Sequence, residues 1–289
     1  MGIKQYPSGE SRASPLQSAV MTEPLNIGCV SYLNSKPLIE PLMNNPAVQV
    51  HFAVPAALMD LISRGEVCCA LLPMVDYQAS DLDLLLLPVG GIACDGPTLT
   101  VRIFSRVPPQ RITHLYADTD SHTSVILAQV ILREFYGVRP EVIPLAADSG
   151  NNHHSNHESV LLIGDKVVNA APPPGEFPWQ LDLGQQWKQF TGLPFVFAMW
   201  MMRADVDPGN LPHLLREARE KGTAMTDELV NRYAEQRHWP RDLAYDYFTT
   251  YLQYSITSAA RNGIETFYAL AQKHGLLVNR RPLRYLEHG

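Results

Sequence analysis

The sequence predicts an α/β protein of two lobes, joined by two crossover strands around a central cleft. Three observations lead there. Strand-like and helix-like segments alternate from Leu25 to Ser105 and again from His114 to Ile163. Two long strands, near 98–105 and 194–203, bracket the second of these units. Beyond residue 203 the chain reads as helical to its end. The expected division is 25–104 plus 204–289 for the first lobe and 105–203 for the second, after a disordered tail over 1–24.

In chain order, Ile27–Val30 reads as a strand that ends in the polar stretch Ser31-Tyr32-Leu33-Asn34. A helix then opens, with Pro37 suited to its first turn. A strand at Val50–Val54 leads through Pro55 into a helix that sets Ala57, Leu58, Leu61 and Ile62 on one face and ends at Gly65. Cys69–Leu72 and Leu84–Pro88 are short apolar strands. Thr98–Ser105 alternates with β-branched residues and reads as a longer one.

In the second unit, the strand His114–Ala117 precedes a polar loop over 118–124. A helix from Ser124 to Tyr136 carries Ala128, Ile131, Leu132 and Phe135 at helical spacing, and Gly137 stops it. Val142–Leu145 and Val160–Ile163 are strands, the latter ending in Gly164-Asp165. After the apolar strand Leu193–Met202, helices are expected at Leu211–Lys221, Thr226–Gln236, Ala244–Tyr254 and Thr257–Lys273.

Composition bounds the function. With 289 residues, 46% hydrophobic and 18% charged, the chain is that of a soluble globular protein of about two domains. Its net charge of −6 argues against nucleic acid or an anionic membrane as partner, since both need a basic surface. No apolar run reaches the ~18 residues of a membrane span. The first two dozen residues lack the apolar core of a secretory signal, so a cytoplasmic protein is expected, with Met21 as an alternative start. The four cysteines form no CxxC pair and read as reduced thiols.

Polar groups at the carboxyl ends of strands mark the candidate site, because ligands of open α/β sheets bind in that crevice. Ser31, Tyr32 and Asn34 offer hydroxyl and amide groups there; taken alone, Ser31 and Asn34 read better as helix caps. Gly96 and Pro97 set a sharp entry to the strand on which Thr98 and Thr100 share a face; ordinary strand threonine is the competing reading. Ser121, Thr123 and Ser124 surround a helix start, where free N–H groups and the helix dipole favour a carboxylate or phosphate. Asp165 ends the list. His153, His154 and His157 lack a metal-ligand spacing and read as a solvated loop. No metal or cofactor is expected.

The stretches VSYLNSKPL at 30–38, CDGPTLTV at 94–101, DTDSHTSVILAQVIL at 118–132, LLIGDKVV at 161–168 and LDLGQQWKQFTGLPFVFAMW at 181–200 occur in the order of one family. The chain resembles chorismate dehydratases of the futalosine route to menaquinone. A sister family, the 1,4-dihydroxy-6-naphthoate synthases, opens instead on Cys-Pro-Asn-Asp.

The resemblance implies a periplasmic-binding-protein type II fold. It also implies removal of water from chorismate to give 3-[(1-carboxyvinyl)oxy]benzoate, with chorismate the small-molecule partner. It places the family's functional asparagine on Asn34 and its functional serine on Thr100, where this chain departs by keeping a hydroxyl but adding a methyl. A non-catalytic solute-binding protein of the same fold is the main alternative, and the naphthoate synthase the next.

Overall fold

The computed structural model describes residues 23–119, 121–145, 156–278 and 280–286. The tail expected over 1–24 lies outside them except for Glu23 and Pro24, as do His153 and His154.

Two five-stranded sheets form on the same plan. In the first, β1 (Leu25–Cys29) lies between β2 (Val48–Phe52) and β3 (Cys69–Pro73), both parallel to it. β10 (Phe195–Arg203) runs antiparallel between β3 and β4 (Leu84–Cys94). In the second, β6 (His114–Ala117) is parallel to β7 (Glu141–Pro144) and β8 (Ser159–Ile163). β5 (Val101–Ser105) runs antiparallel between β8 and β9 (Trp179–Asp182).

The helices are α1 (Lys36–Ile39), α2 (Pro55–Ser63), α3 (Met74–Ala79), α4 (His122–Glu134) and α5 (Asp165–Asn169). They continue with α6 (Leu183–Thr191), α7 (Leu211–Ala224), α8 (Thr226–Tyr233), α9 (Arg241–Asp246) and α10 (Ser258–Lys273). A π-helical turn, Tyr247–Tyr251, extends α9 where a plain helix to Tyr254 was expected.

The strands that border the two lobes lie opposite to the expected division. Val101–Ser105 pairs in the second sheet, and Phe195–Arg203 in the first. Periodicity reports that a segment is a strand but not which edge it will meet. The chain therefore crosses between sheets through irregular backbone at 95–100 and returns through α6 and the residues just before β10.

The expected strand start at Thr98 also moves, to Val101. The N–H groups of Thr98 and Leu99 are taken by the Asp182 carboxylate, at 2.9 and 2.8 Å. The Thr100 N–H bonds the Thr98 carbonyl at 2.7 Å around Leu99, which has φ +65°. A tight γ-turn thus replaces the first rungs of a ladder. At the other end of the first sheet, β4 runs on through Gly90-Gly91 to Cys94, with a bulge against β10 near Gly91.

Apolar burial explains the layers. All five residues of β3 are buried, and β10 buries seven of nine, as strands covered on both faces do. Trp200 on β10 and Trp187 on α6 are fully buried. Three of the four cysteines lie in this interior. Among the described residues no helix is long and apolar enough to cross a membrane.

The lobes touch directly through α4, which packs on α3 and α10 of the first lobe. His122 Nδ1 lies 2.8 Å from Asp76 Oδ1. The Val75 N–H donates to the Thr123 hydroxyl at 3.1 Å. Glu134 meets Lys273 and His274, both at 2.7 Å.

A Cβ on Gly184 would lie 2.5 Å from the Gly96 carbonyl and 2.7 Å from Cys94 Sγ, so the two crossing segments touch there. Gly184→Ala should destabilise the fold by roughly 1–3 kcal/mol, measured by denaturant unfolding; a cost near zero would mean that the segments part freely.

The hydrogen bond from Asp76 raises His122 above its ordinary pKa. Protonated His122 therefore stabilises the joint below the ordinary histidine pKa of about 6.5, and that stability fades as pH rises through the elevated value. The melting temperature should fall less between about pH 6 and about pH 8.5 in His122→Gln than in the unchanged protein. Equal slopes would remove His122 from the pH response.

Candidate active site

The cavity of about 200 Å³ between the sheets is where the carboxyl ends of both sets of strands converge. After β1 the chain turns through a short 3-10 helix, Leu33–Ser35, that carries Asn34 to the wall. Neither Ser31 nor Asn34 caps a helix, contrary to the simpler expectation. Ser35 instead holds the loop, donating to the carbonyls of Val30 and Tyr32 at 2.9 and 2.8 Å.

Opposite, the crossing segment supplies Thr98 and Thr100. Both reach the cavity by the turn at Leu99 rather than by strand alternation. The Thr100 carbonyl accepts from the Gly164 N–H at 2.8 Å, which ties the segment to the start of α5.

The Thr100 hydroxyl lies 2.8 Å from the Tyr247 hydroxyl, and Asn34 lines the same cavity. Three residues distant in sequence thus meet at one cavity. Burial pushes the Tyr247 phenol well above its ordinary pKa, so it stays protonated. The Asn34 Oδ1 is buried without a hydrogen-bond partner. A buried acceptor left unpaired costs about 1–3 kcal/mol, so it is poised for a ligand donor.

The hydroxyl cluster at the start of α4 divides its work. Ser121 caps the helix, accepting from the Ser124 N–H at 3.3 Å, and Ser121 and Ser124 both line the cavity. Thr123 is turned to α3 and lies outside the lining.

Charge enters from three side chains. Lys166 lines the cavity and pairs with buried Asp118 at 2.8 Å. Arg237 pairs with Asp165 at 3.0 Å and also donates to the Ser31 carbonyl. The Trp239 indole donates to the other oxygen of Asp165 at 3.0 Å, and Asn169 donates to the Arg237 carbonyl at 2.9 Å. This set latches α5 of the second lobe to the 237–239 segment and the β1 loop of the first.

Of the residues expected at the site, Tyr32, Asn34, Thr98, Thr100, Ser121, Ser124 and Asp165 surround the cavity. Ser31, Gly96, Pro97 and Thr123 do not line it. Ser31 contributes a backbone carbonyl to Arg237. Gly96, at φ +134°, shapes the turn. Sequence reasoning missed Lys166, Arg237, Trp239 and Tyr247. Arg237 and Trp239 fall between two expected helices and Tyr247 within the second, and no local signal separates them. No histidine or cysteine is among the described residues of the lining. The nearby Cys29 thiol is pushed up to about 12 by burial and is no nucleophile.

A cavity with two cations, one carboxylate and a cluster of neutral hydroxyl and amide groups suits a small oxygen-rich anion. The family model described as menaquinone biosynthesis matches residues 25–273. The chain belongs to the menaquinone biosynthesis family. Within it, a chorismate dehydratase of Thermus thermophilus is 30% identical over 259 residues, covering 84% of this chain and 94% of that protein.

Solved structures show how far the family's fold extends. The periplasmic aliphatic sulphonate binding protein SsuA of Escherichia coli superposes with a TM-score of 0.61 at 14% identity, covering 93% of this chain and 95% of its own. A protein of Archaeoglobus fulgidus gives 0.66 at 13% identity, over 89% and 99%. This member of the menaquinone biosynthesis family therefore has the two-lobed fold of periplasmic binding proteins.

The latch yields a prediction. Asp165→Ala removes the acceptor of both Arg237 and Trp239, leaving Arg237 without its carboxylate partner. The free protein should open, with a larger radius of gyration in solution scattering. An unchanged radius would show that the α4 contacts alone hold the lobes shut.

Proposed function

We propose that this protein is a chorismate dehydratase. It removes water from chorismate to give 3-[(1-carboxyvinyl)oxy]benzoate, in the cytoplasm, on the futalosine route to menaquinone. The observation that carries this reading is the convergence of Asn34 and Thr100 with two cations on one cavity, in a chain 30% identical to a chorismate dehydratase.

Chorismate carries two carboxylates and one ring hydroxyl. Lys166, Arg237 and the N-terminus of α4 supply the positive field for the carboxylates. Asn34 and Thr100 hold the ring C4 hydroxyl, Asn34 Oδ1 accepting its proton and Thr100 donating to its oxygen. The substrate's own enolpyruvyl carboxylate takes the C3 proton. The C3–H electron pair forms the new ring double bond as the C4–O bond breaks. The hydroxide leaves and takes the C3 proton from the enolpyruvyl carboxyl group to become water, which restores the carboxylate. Aromatisation makes the step steeply downhill, so positioning and hydrogen bonding suffice while Asp165 and Lys166 are held in ion pairs.

Mixing the protein with chorismate should produce the ultraviolet spectrum of a substituted benzoate. Binding without spectral change would support the solute-binding reading that the fold also allows. Thr100→Val keeps the shape of the side chain but removes its hydroxyl, and should lower kcat by roughly 10²-fold, the usual effect of one transition-state donor. Thr100→Ser should stay active. Comparable turnover in the two variants would leave Thr100 a structural residue only.

A further inference from the structure

We propose that Tyr247 is a positioning residue that sets the direction of the hydrogen bond Thr100 offers to the ligand, so that with Asn34 the site presents one donor and one acceptor matched to a single alcohol. This rests on the proposed dehydratase reading and deepens it.

The direction follows from the donor strengths of the two hydroxyls. Between a phenol and an aliphatic hydroxyl the phenol is the stronger acid and the better donor, and Asn34 Oδ1 stands apart as an acceptor without a partner. A phenol has a single proton, and the Thr100 hydroxyl lies 2.8 Å away to receive it. With an acceptor position of Thr100 filled, its own proton is left for the cavity. The donors run Tyr247 to Thr100 to ligand, and each bond polarises the next in the same sense. The cavity is thus offered the Thr100 proton and the Asn34 Oδ1. An alcohol accepts from the first while donating to the second, which a carboxylate cannot.

The fold builds Tyr247 for this task. It opens the π-helical turn Tyr247–Tyr251, and such turns recur at functional sites because they displace side chains from regular helical positions. It is 2% exposed, and the Trp239 ring sits 5.0 Å from its own. A phenol so enclosed cannot turn its proton to bulk water, so the order of donors is fixed before the ligand arrives.

The test is a double-mutant cycle of Tyr247→Phe and Thr100→Val. Tyr247→Phe removes only the hydroxyl. It should lower kcat for chorismate by about 10-fold to 100-fold with little change in KM. Because Tyr247 acts through Thr100, adding Tyr247→Phe to Thr100→Val should cost almost nothing more. Multiplying effects, or full activity in Tyr247→Phe, would overturn the proposal.

If the unchanged protein binds chorismate without dehydrating it, the activity reading falls and the cycle is read in affinity. Each single variant should then lose preference for chorismate over 3-[(1-carboxyvinyl)oxy]benzoate, which lacks the hydroxyl, and again without multiplying. Variants that keep that preference would overturn the role of Tyr247 independently of the activity.

Discussion

One buried carboxylate holds the two lobes in working order. Asp182 ends β9 and caps α6, accepting from the Gln185 N–H at 3.1 Å. The same group accepts from the N–H groups of Thr98 and Leu99. Backbone donors from both crossing segments therefore converge on one side chain that is 5% exposed. Bonds to a charged acceptor are roughly twice as strong as neutral ones, and here three are made where water is absent. Without Asp182, Leu99 would have no reason to remain at positive φ, a conformation costly for a residue with a Cβ.

That strained turn is what delivers the chemistry. Regular strand geometry through 98–100 would engage the backbone in a ladder. Instead the turn sends both Thr98 and Thr100 to the cavity and leaves the Thr100 carbonyl free to bind Gly164. The position of α5, with Asp165 and Lys166, is thereby coupled to the position of the Thr100 hydroxyl. Displacement of the crossing segment would move the donor and the cationic wall together.

Two contacts of different character then close the cleft. At the joint of α4 with α3 and α10, His122, Thr123 and Glu134 meet partners from the first lobe through hydrogen bonds and partly exposed ion pairs. At the α5 latch, Arg237 and Trp239 share the carboxylate of Asp165. The joint contains an imidazole, His122, whose pKa Asp76 raises, whereas the latch is built from a guanidinium, an indole and a carboxylate. Surface ion pairs contribute little singly. The latch gains from its several bonds being anchored on backbone and indole as well as on charge.

The sequence by itself determined the alternation of strands and helices, because periods of 2 and 3.6 are written in the apolar residues of each segment. It also placed Asn34 and the start of α4 at strand ends, where this fold gathers ligands, whereas Thr100 was singled out by the family resemblance. The Asp182–Gln185 spacing carried a capping signal that was open to reading.

Only the tertiary structure decided the rest. It assigned Val101–Ser105 and Phe195–Arg203 to their sheets, since pairing depends on which edge is vacant and not on local pattern. It brought Arg237, Trp239 and Tyr247 across from the C-terminal helices. Their distance from Asn34 in sequence is large and their own segments are ordinary. A tyrosine becomes part of a site through the company that folding gives it, and no local spacing records that company.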